Sequence, residues 1–311
     1  MKKQKYPIHS DFKKWSKMNP PLNRAVLPIV QKSVGLLSCF QHSANGLKAE
    51  KKKIPVKNGT VKAVWYTPTD AGENSPCILF CHGGGFVLPA APYHYRLARE
   101  YALALKCKVL FVQYRLAPKY RFPVPMEDCF TAYEWLLHNA EILGIDEKRI
   151  AVCGDSAGGA LAAAVALKAR DSGIQPPCGQ MLIYPVVGGS LSTPSMQKYT
   201  DTPMCNSRDM IKYYRLFFGA DEIPAEKYAA PIREERLADL PKAYIETAEF
   251  DCLHDEGEAF ANRLKESGVE VEYYATKGTI HGFDIVKKSE IVDEAVRRRI
   301  AFLRRVLLER V

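Results

Sequence analysis

At 311 residues, 47% hydrophobic and +9 in net charge, the chain is long enough to bury one large core or two ordinary ones. No apolar stretch reaches the ~18 residues that a spanning helix needs, and Asp11, Lys13, Lys14 and Lys17 break up what would have to follow Lys2, Lys3 and Lys5 in a signal peptide. Nine scattered cysteines without a C-x-x-C pair read as free thiols of a cytoplasmic protein, and neither H-E-x-x-H nor a Cys/His cluster at zinc spacing points to a metal.

Residues 1–60 hold thirteen Lys or Arg against two acids, Asp11 and Glu50. A solvated basic face accounts for that surplus, and no nucleic-acid-binding motif accompanies it. Residues 1–50 look helical, although Gln31 and Lys32 interrupt the apolar run Ala25–Phe40. From about residue 60, short apolar runs alternate with helical stretches. The predicted strands are Val61–Tyr66, Cys77–Cys81, Val109–Tyr114, Ile150–Cys153, Gln180–Val187, Ala243–Ala248 and Val269–Ala275. The predicted helices are Tyr95–Lys106, Met126–Ala140, Ala157–Arg170, Asp255–Ser267 and Glu290–Leu308. Strands without polar alternation, interleaved with helices, imply a mostly parallel sheet covered by helices on both faces. Residues 188–230 are rich in Gly, Ser, Thr, Pro and Tyr and follow a strand, so they project from the edge where an α/β sheet has its crevice. The expected organisation is one domain: a core of 51–187 and 231–311, an N-terminal cap segment 1–50 and a cap insertion 188–230.

Four stretches carry chemistry, and they come in a fixed order. His82-Gly83-Gly84-Gly85-Phe86 follows the second predicted strand. Consecutive glycines leave backbone amides free to face a developing oxyanion, which selects Gly84 and Gly85, with Gly83 a weaker third. His82 reads as a brace for the glycine turn. Gly154-Asp155-Ser156-Ala157-Gly158 matches G-x-S-x-G between a strand and an alanine-rich helix, the setting of an exposed nucleophilic serine. Gly154 and Gly158 allow the two arms to approach, and the amide of Ala157 supplies a further oxyanion donor. A serine hydroxyl needs an imidazole to take its proton and a carboxylate to orient that imidazole. His281, in a loop after the last strand, is a better placed base than His254. Asp251, just past the strand Ala243–Ala248, is the acid, while Asp255 and Glu256 open a helix. Phe86, Met204, Tyr213, Tyr214 and Phe217 are candidate pocket walls.

Together with Tyr114-Arg115-Leu116-Ala117-Pro118 and Thr247-Ala248-Glu249-Phe250-Asp251, these motifs resemble the hormone-sensitive-lipase-like esterases over residues 60–311. The resemblance implies an α/β-hydrolase fold with a helical cap and a cofactor-free serine carboxylesterase. Its substrates would be small esters with short-to-medium acyl chains, cleaved through an acyl-enzyme. It places the triad on Ser156, Asp251 and His281 and the oxyanion donors on Gly84, Gly85 and Ala157; many members pair as homodimers. A lipase or deacetylase working at a membrane surface is the alternative, without integral membrane contact. A purely binding role, as in the gibberellin receptors of similar sequence, conflicts with retention of His281. Two departures stand out: Cys252-Leu253-His254 where the family usually has Pro-Leu-Arg, and Lys119 where it usually has an acid.

Overall fold

An apolar run with no polar alternate positions must be covered on both faces, and Ser75–Cys81 and Gly179–Ile183 are buried at every residue. The computed structural model describes residues 5–20, 22, 23, 25–38, 44–188 and 190–309. Lys2, Lys3 and Phe40, named above, and Cys39, one of the nine cysteines, lie outside the described residues.

In chain order, α1 (Leu27–Ser38) precedes β1 (Leu47–Val56), β2 (Gly59–Pro68) and β3 (Ser75–Cys81). Then come α2 (Pro92–Leu105), β4 (Lys108–Gln113), α3 (Val124–His138), the single turn α4 (Ala140–Leu143) and β5 (Ile145–Asp155). They are followed by α5 (Ala157–Asp171), β6 (Gly179–Ile183), α6 (Pro194–Lys198), α7 (Ser207–Phe217) and β7 (Ala243–Phe250). The last elements are α8 (His254–Glu266), β8 (Val271–Ile280) and α9 (Glu290–Leu308).

Among the described residues the strands form one sheet in the order β1-β2-β4-β3-β5-β6-β7-β8. β2 runs antiparallel to β1 and β4, and every neighbouring pair from β4 to β8 is parallel. This is the mostly parallel α/β sheet that the alternation predicts. Helices α5 and α9 pack on β5, α8 packs on β7, and α2 packs on β4.

Two expectations need correction. The N-terminal stretch is not helical up to residue 50: it enters the sheet at Leu47 as the edge strand β1. Leu47 and Ile54 are buried while Lys48, Lys51 and Lys53 are exposed, with no clean alternation to betray a strand. Pairing with β2 decides its conformation, through the turn that joins Val56 to Gly59 with Asn58 at φ 61°. Lysines on such an edge also discourage pairing with another chain. The strand expected over Gln180–Val187 stops at Ile183, because Tyr184 turns to φ 34° and the Val186 N–H bonds to the Ser156 carbonyl at 3.1 Å.

The topology positions four of the predicted groups. His82, Ser156, Asp251 and His281 each follow the last residue of a parallel strand, namely β3, β5, β7 and β8. Parallel strands end at the same edge of the sheet, so residues far apart in sequence meet there. A buried ion-paired cluster lies behind this edge. Arg299 of α9, fully buried, donates to Glu246 of β7 and to Asp284, each at 2.7 Å, and Tyr184 donates to Asp284 at 2.7 Å. Asp284 lies three residues past His281, so the cluster fixes the far end of the histidine loop.

Candidate active site

β5 ends at Asp155 and α5 begins at Ala157, so Ser156 alone makes the turn, at φ 53° and ψ −120°. An L-residue avoids that region, and holding it there costs about 1–3 kcal/mol. The surroundings leave no other choice. The Ser156 N–H donates to the Ile183 carbonyl at 2.8 Å, and its carbonyl accepts from Ala160 at 3.2 Å and Val186 at 3.1 Å. A Cβ on Gly154 would overlap the Gly158 backbone, and one on Gly158 the carbonyl of Cys81. Glycine at both positions is what allows strand and helix to close on each other.

The Ser156 hydroxyl lies 2.9 Å from Nε2 of His281, and Nδ1 of His281 lies 2.6 Å from Oδ2 of Asp251. The other Asp251 oxygen accepts from the Leu253 N–H at 3.0 Å, and the carboxylate is fully buried. Burial works against the imidazolium of His281, but the Asp251 charge outweighs it and raises the group from 6.5 to about 9. His254 is elsewhere: it opens α8 with Nδ1 3.1 Å from Asp255. Asp255 in turn accepts from the Ser195 N–H at 2.7 Å, and Glu256 accepts from the Val187 N–H at 2.9 Å.

The glycine loop is fastened to the serine turn through Asp155. Its Oδ1 accepts from the Gly83 N–H at 2.9 Å, and its Oδ2 accepts from His94 at 3.0 Å and Tyr93 at 3.2 Å. Burial opposes the Asp155 charge, yet the field and hydrogen bond of His94 hold its carboxyl below the usual range. Gly83 therefore spends its amide on Asp155 and drops out of the candidate oxyanion donors. No hydrogen bond from the amides of Gly84 or Gly85 is found among the described residues, and both glycines border the cavity. Gly85 sits at φ 60° with its α-carbon against the ring of Tyr213, which a Cβ would overlap. The partners of His82 are not those of a base for Ser156: its Nδ1 bonds to the Gly83 carbonyl at 2.7 Å and its ring stacks on Tyr114, 4.4 Å between centroids. Burial, with His94 nearby, pulls His82 down to about 3, so it stays neutral. The Tyr114 hydroxyl donates to the His82 carbonyl at 2.7 Å, and Arg115 is anchored on Asp128 at 2.6 Å. The Tyr114–Pro118 motif is thereby a buttress for the loop.

A cavity of about 220 Å³ opens above Ser156. Phe86, Met204 and Tyr213 line it as the sequence suggested; Tyr214 and Phe217 do not. Phe217 stacks behind Phe86, 4.0 Å between centroids, and the buried Tyr214 hydroxyl has no partner among the described residues. The sequence reading expected the N-terminal segment in the cap but named none of its residues as cavity walls. Met18, Val30 and Val34 line the cavity, as do Tyr93 and His94 of α2. Gln31 secures α1 by donating to the carbonyls of Val87 at 2.7 Å and Ala117 at 3.0 Å. The Met204 N–H donates to the Met18 carbonyl at 2.7 Å, and Asp201 accepts from Lys5 at 2.7 Å and Tyr6 at 2.6 Å. The signal for His94 was there: a histidine on the apolar face of a helix soon after the glycine loop.

A parallel sheet that presents a serine on the sharp turn after a middle strand is the architecture of the α/β-hydrolases. The comparisons with known proteins agree. The family profile described as alpha/beta hydrolase fold matches residues 78–285. Esterase LipI of Mycobacterium tuberculosis is 37% identical over 252 residues, 78% of this chain and 77% of that one. The arylesterase of Saccharolobus solfataricus is 34% identical over 238 residues, 76% and 75% of the two chains. The structure of a bacterial heroin esterase superposes with a TM-score of 0.89 at 33% identity, over 97% of this chain and 99% of the other. The chain belongs to the α/β-hydrolase family, on its hormone-sensitive-lipase-like esterase branch.

Proposed function

We propose that Ser156, His281 and Asp251 are the catalytic triad of a serine carboxylesterase that cleaves small esters of short-to-medium acyl chains. The observation that carries this reading is the unbroken chain of hydrogen bonds from the Ser156 hydroxyl through His281 to the buried Asp251, at 2.9 and 2.6 Å. His281 takes the serine proton at Nε2 as Oγ attacks the ester carbonyl, while Asp251 holds the Nδ1–H tautomer. The amides of Gly84, Gly85 and Ala157 receive the oxyanion, each such donor contributing about 2.7–4 kcal/mol. His281 returns the proton to the departing alcohol, leaving an acyl-Ser156 ester. It then deprotonates a water that releases the acid and restores the serine.

A cavity of about 220 Å³ favours the short end of that acyl range; pockets for drug-sized ligands run from ~300 Å³ upward. The described residues of 5–38 act with those of 190–230 as one cap, supported by the Met18–Met204 and Asp201 contacts between them. All eight described cysteines are free, in keeping with a cytoplasmic setting. Among the described residues no helix is long and apolar enough to cross a membrane. The test is a fluorophosphonate label mapped by peptide mass spectrometry, beside p-nitrophenyl esters of two to twelve carbons. The adduct should fall on Ser156 and turnover should peak among the shorter esters. A label on any other residue ends the triad assignment.

A further inference from the structure

We propose that Cys205 and Cys252 are a peroxide-responsive thiol pair whose oxidation to a disulfide turns ester hydrolysis down. The two sulfurs are 3.8 Å apart, although 46 residues separate them in sequence, and neither is one of the proposed reacting groups. They come from the two parts of the molecule that must stay in register for the site to work. Cys205 follows Met204 in the 188–230 insertion and lines the ester cavity; Cys252 follows Asp251 on the loop that orients His281. Cys252 is also one of the two departures from the family pattern, replacing a proline that has no thiol.

The geometry dictates the order of events. Both cysteines are buried, Cys252 completely, and burial pushes its thiol well up; Cys205 in addition borders a cavity that admits a small solute. Cys205 attacks hydrogen peroxide: an S–O bond forms, the O–O bond breaks and one water leaves, giving a sulfenic acid. Cys252 then attacks that sulfur: the S–S bond forms, the S–O bond breaks and a second water leaves. Two thiols are oxidised and one peroxide is reduced. Closing a 3.8 Å gap to a bond of about 2.0 Å brings the two sulfurs almost 2 Å closer, and the side chains beside the cavity and the Asp251 loop must shift to allow it. A displacement near 1 Å at a reacting geometry is worth about a hundredfold in rate.

The effect on turnover rests on the triad assignment above, whereas the cross-link itself does not. The experiment treats the reduced full-length protein with hydrogen peroxide, quenches it with an alkylating agent and maps the peptides. A Cys205–Cys252 cross-linked peptide is expected, together with a loss of short-ester turnover of at least tenfold that dithiothreitol reverses. In Cys252→Ser the same treatment should produce no reversible loss relative to its own untreated activity. Oxidation confined to Met210, whose sulfur lies 3.5 Å from Cys205, or to sulfinic acid at Cys205, overturns the pair. A cross-link with turnover unchanged overturns the switch. A reduced protein that forms the cross-link but never hydrolyses an ester refutes the triad reading instead.

Discussion

The proposed catalytic groups and the cavity walls face the same small space from opposite sides and are held there by different means. Ser156, Asp251 and His281 are each one residue from a strand of the sheet, and each has a further hydrogen bond or packing contact that fixes it. Ser156 is held through Ile183 and Val186, Asp251 through Leu253, and His281 against the ring of Tyr184, 4.7 Å away. The opposite wall comes from Met18, Val30, Val34, Met204 and Tyr213, which belong to segments outside the sheet. Their ties to one another include a backbone bond between Met204 and Met18 and the exposed pair Lys5–Asp201. The proposed triad, whose chemistry would fail if an atom moved by 1 Å, sits on the rigid part, and the wall proposed to select the acyl group can vary without disturbing it.

The sharpest way to break this contrast is Ser156→Ala, expected to lower kcat/KM by about 10⁴-fold or more while leaving the thermal midpoint within a few degrees of the parent. A variant that kept half its rate would remove the serine from the mechanism. Next comes a pair of neighbours. Asp251→Asn should cost about 10³–10⁴-fold, because the amide no longer enforces the productive imidazole tautomer. Asp255→Asn affects a cap on the Ser195 N–H and a contact with His254, both outside the proposed triad, and should remain within a few-fold in rate. Equal losses in steady-state assays would mean that the acid is misassigned.

Activity and stability should respond to pH in opposite senses. His281 must be neutral to act as a base, so kcat/KM should climb about tenfold per pH unit and level off as pH passes its raised pKa of about 9. The same shift makes the His281–Asp251 pair stabilising below about 6.5, with that contribution lost as pH rises through about 9. A pH–rate profile beside urea melts at several pH values reads both; a rate plateau reached already at pH 6 would refute the shift. The smallest effect belongs to the variable wall. Met204→Ala should raise the preference for six-carbon over two-carbon acyl esters by no more than about tenfold, with the preferred ester hydrolysed nearly as fast as before. A large fall in kcat for every ester would show that the wall is part of the catalytic machinery.

What the sequence by itself determined is what short-range physics controls. Gly154-Asp155-Ser156-Ala157-Gly158, set between an apolar run and an alanine-rich stretch, reads as a strand-to-helix elbow with a glycine on each arm. The apolar runs leading to His82, Ser156 and Asp251 announced parallel strands, and parallel strands end together, so the reactive edge was legible from their order. Only the tertiary structure decided the rest. β1 has no periodicity of its own and becomes a strand through its pairing with β2. Asp155 takes the Gly83 amide out of the candidate oxyanion set across 72 residues, and Tyr213 reaches the cavity while Tyr214, next to it on the same helix, does not. Arg299, an arginine in a charged helical stretch, is buried against Glu246 and Asp284. These outcomes depend on which surfaces come together over long separations, and no local pattern of residue types encodes that.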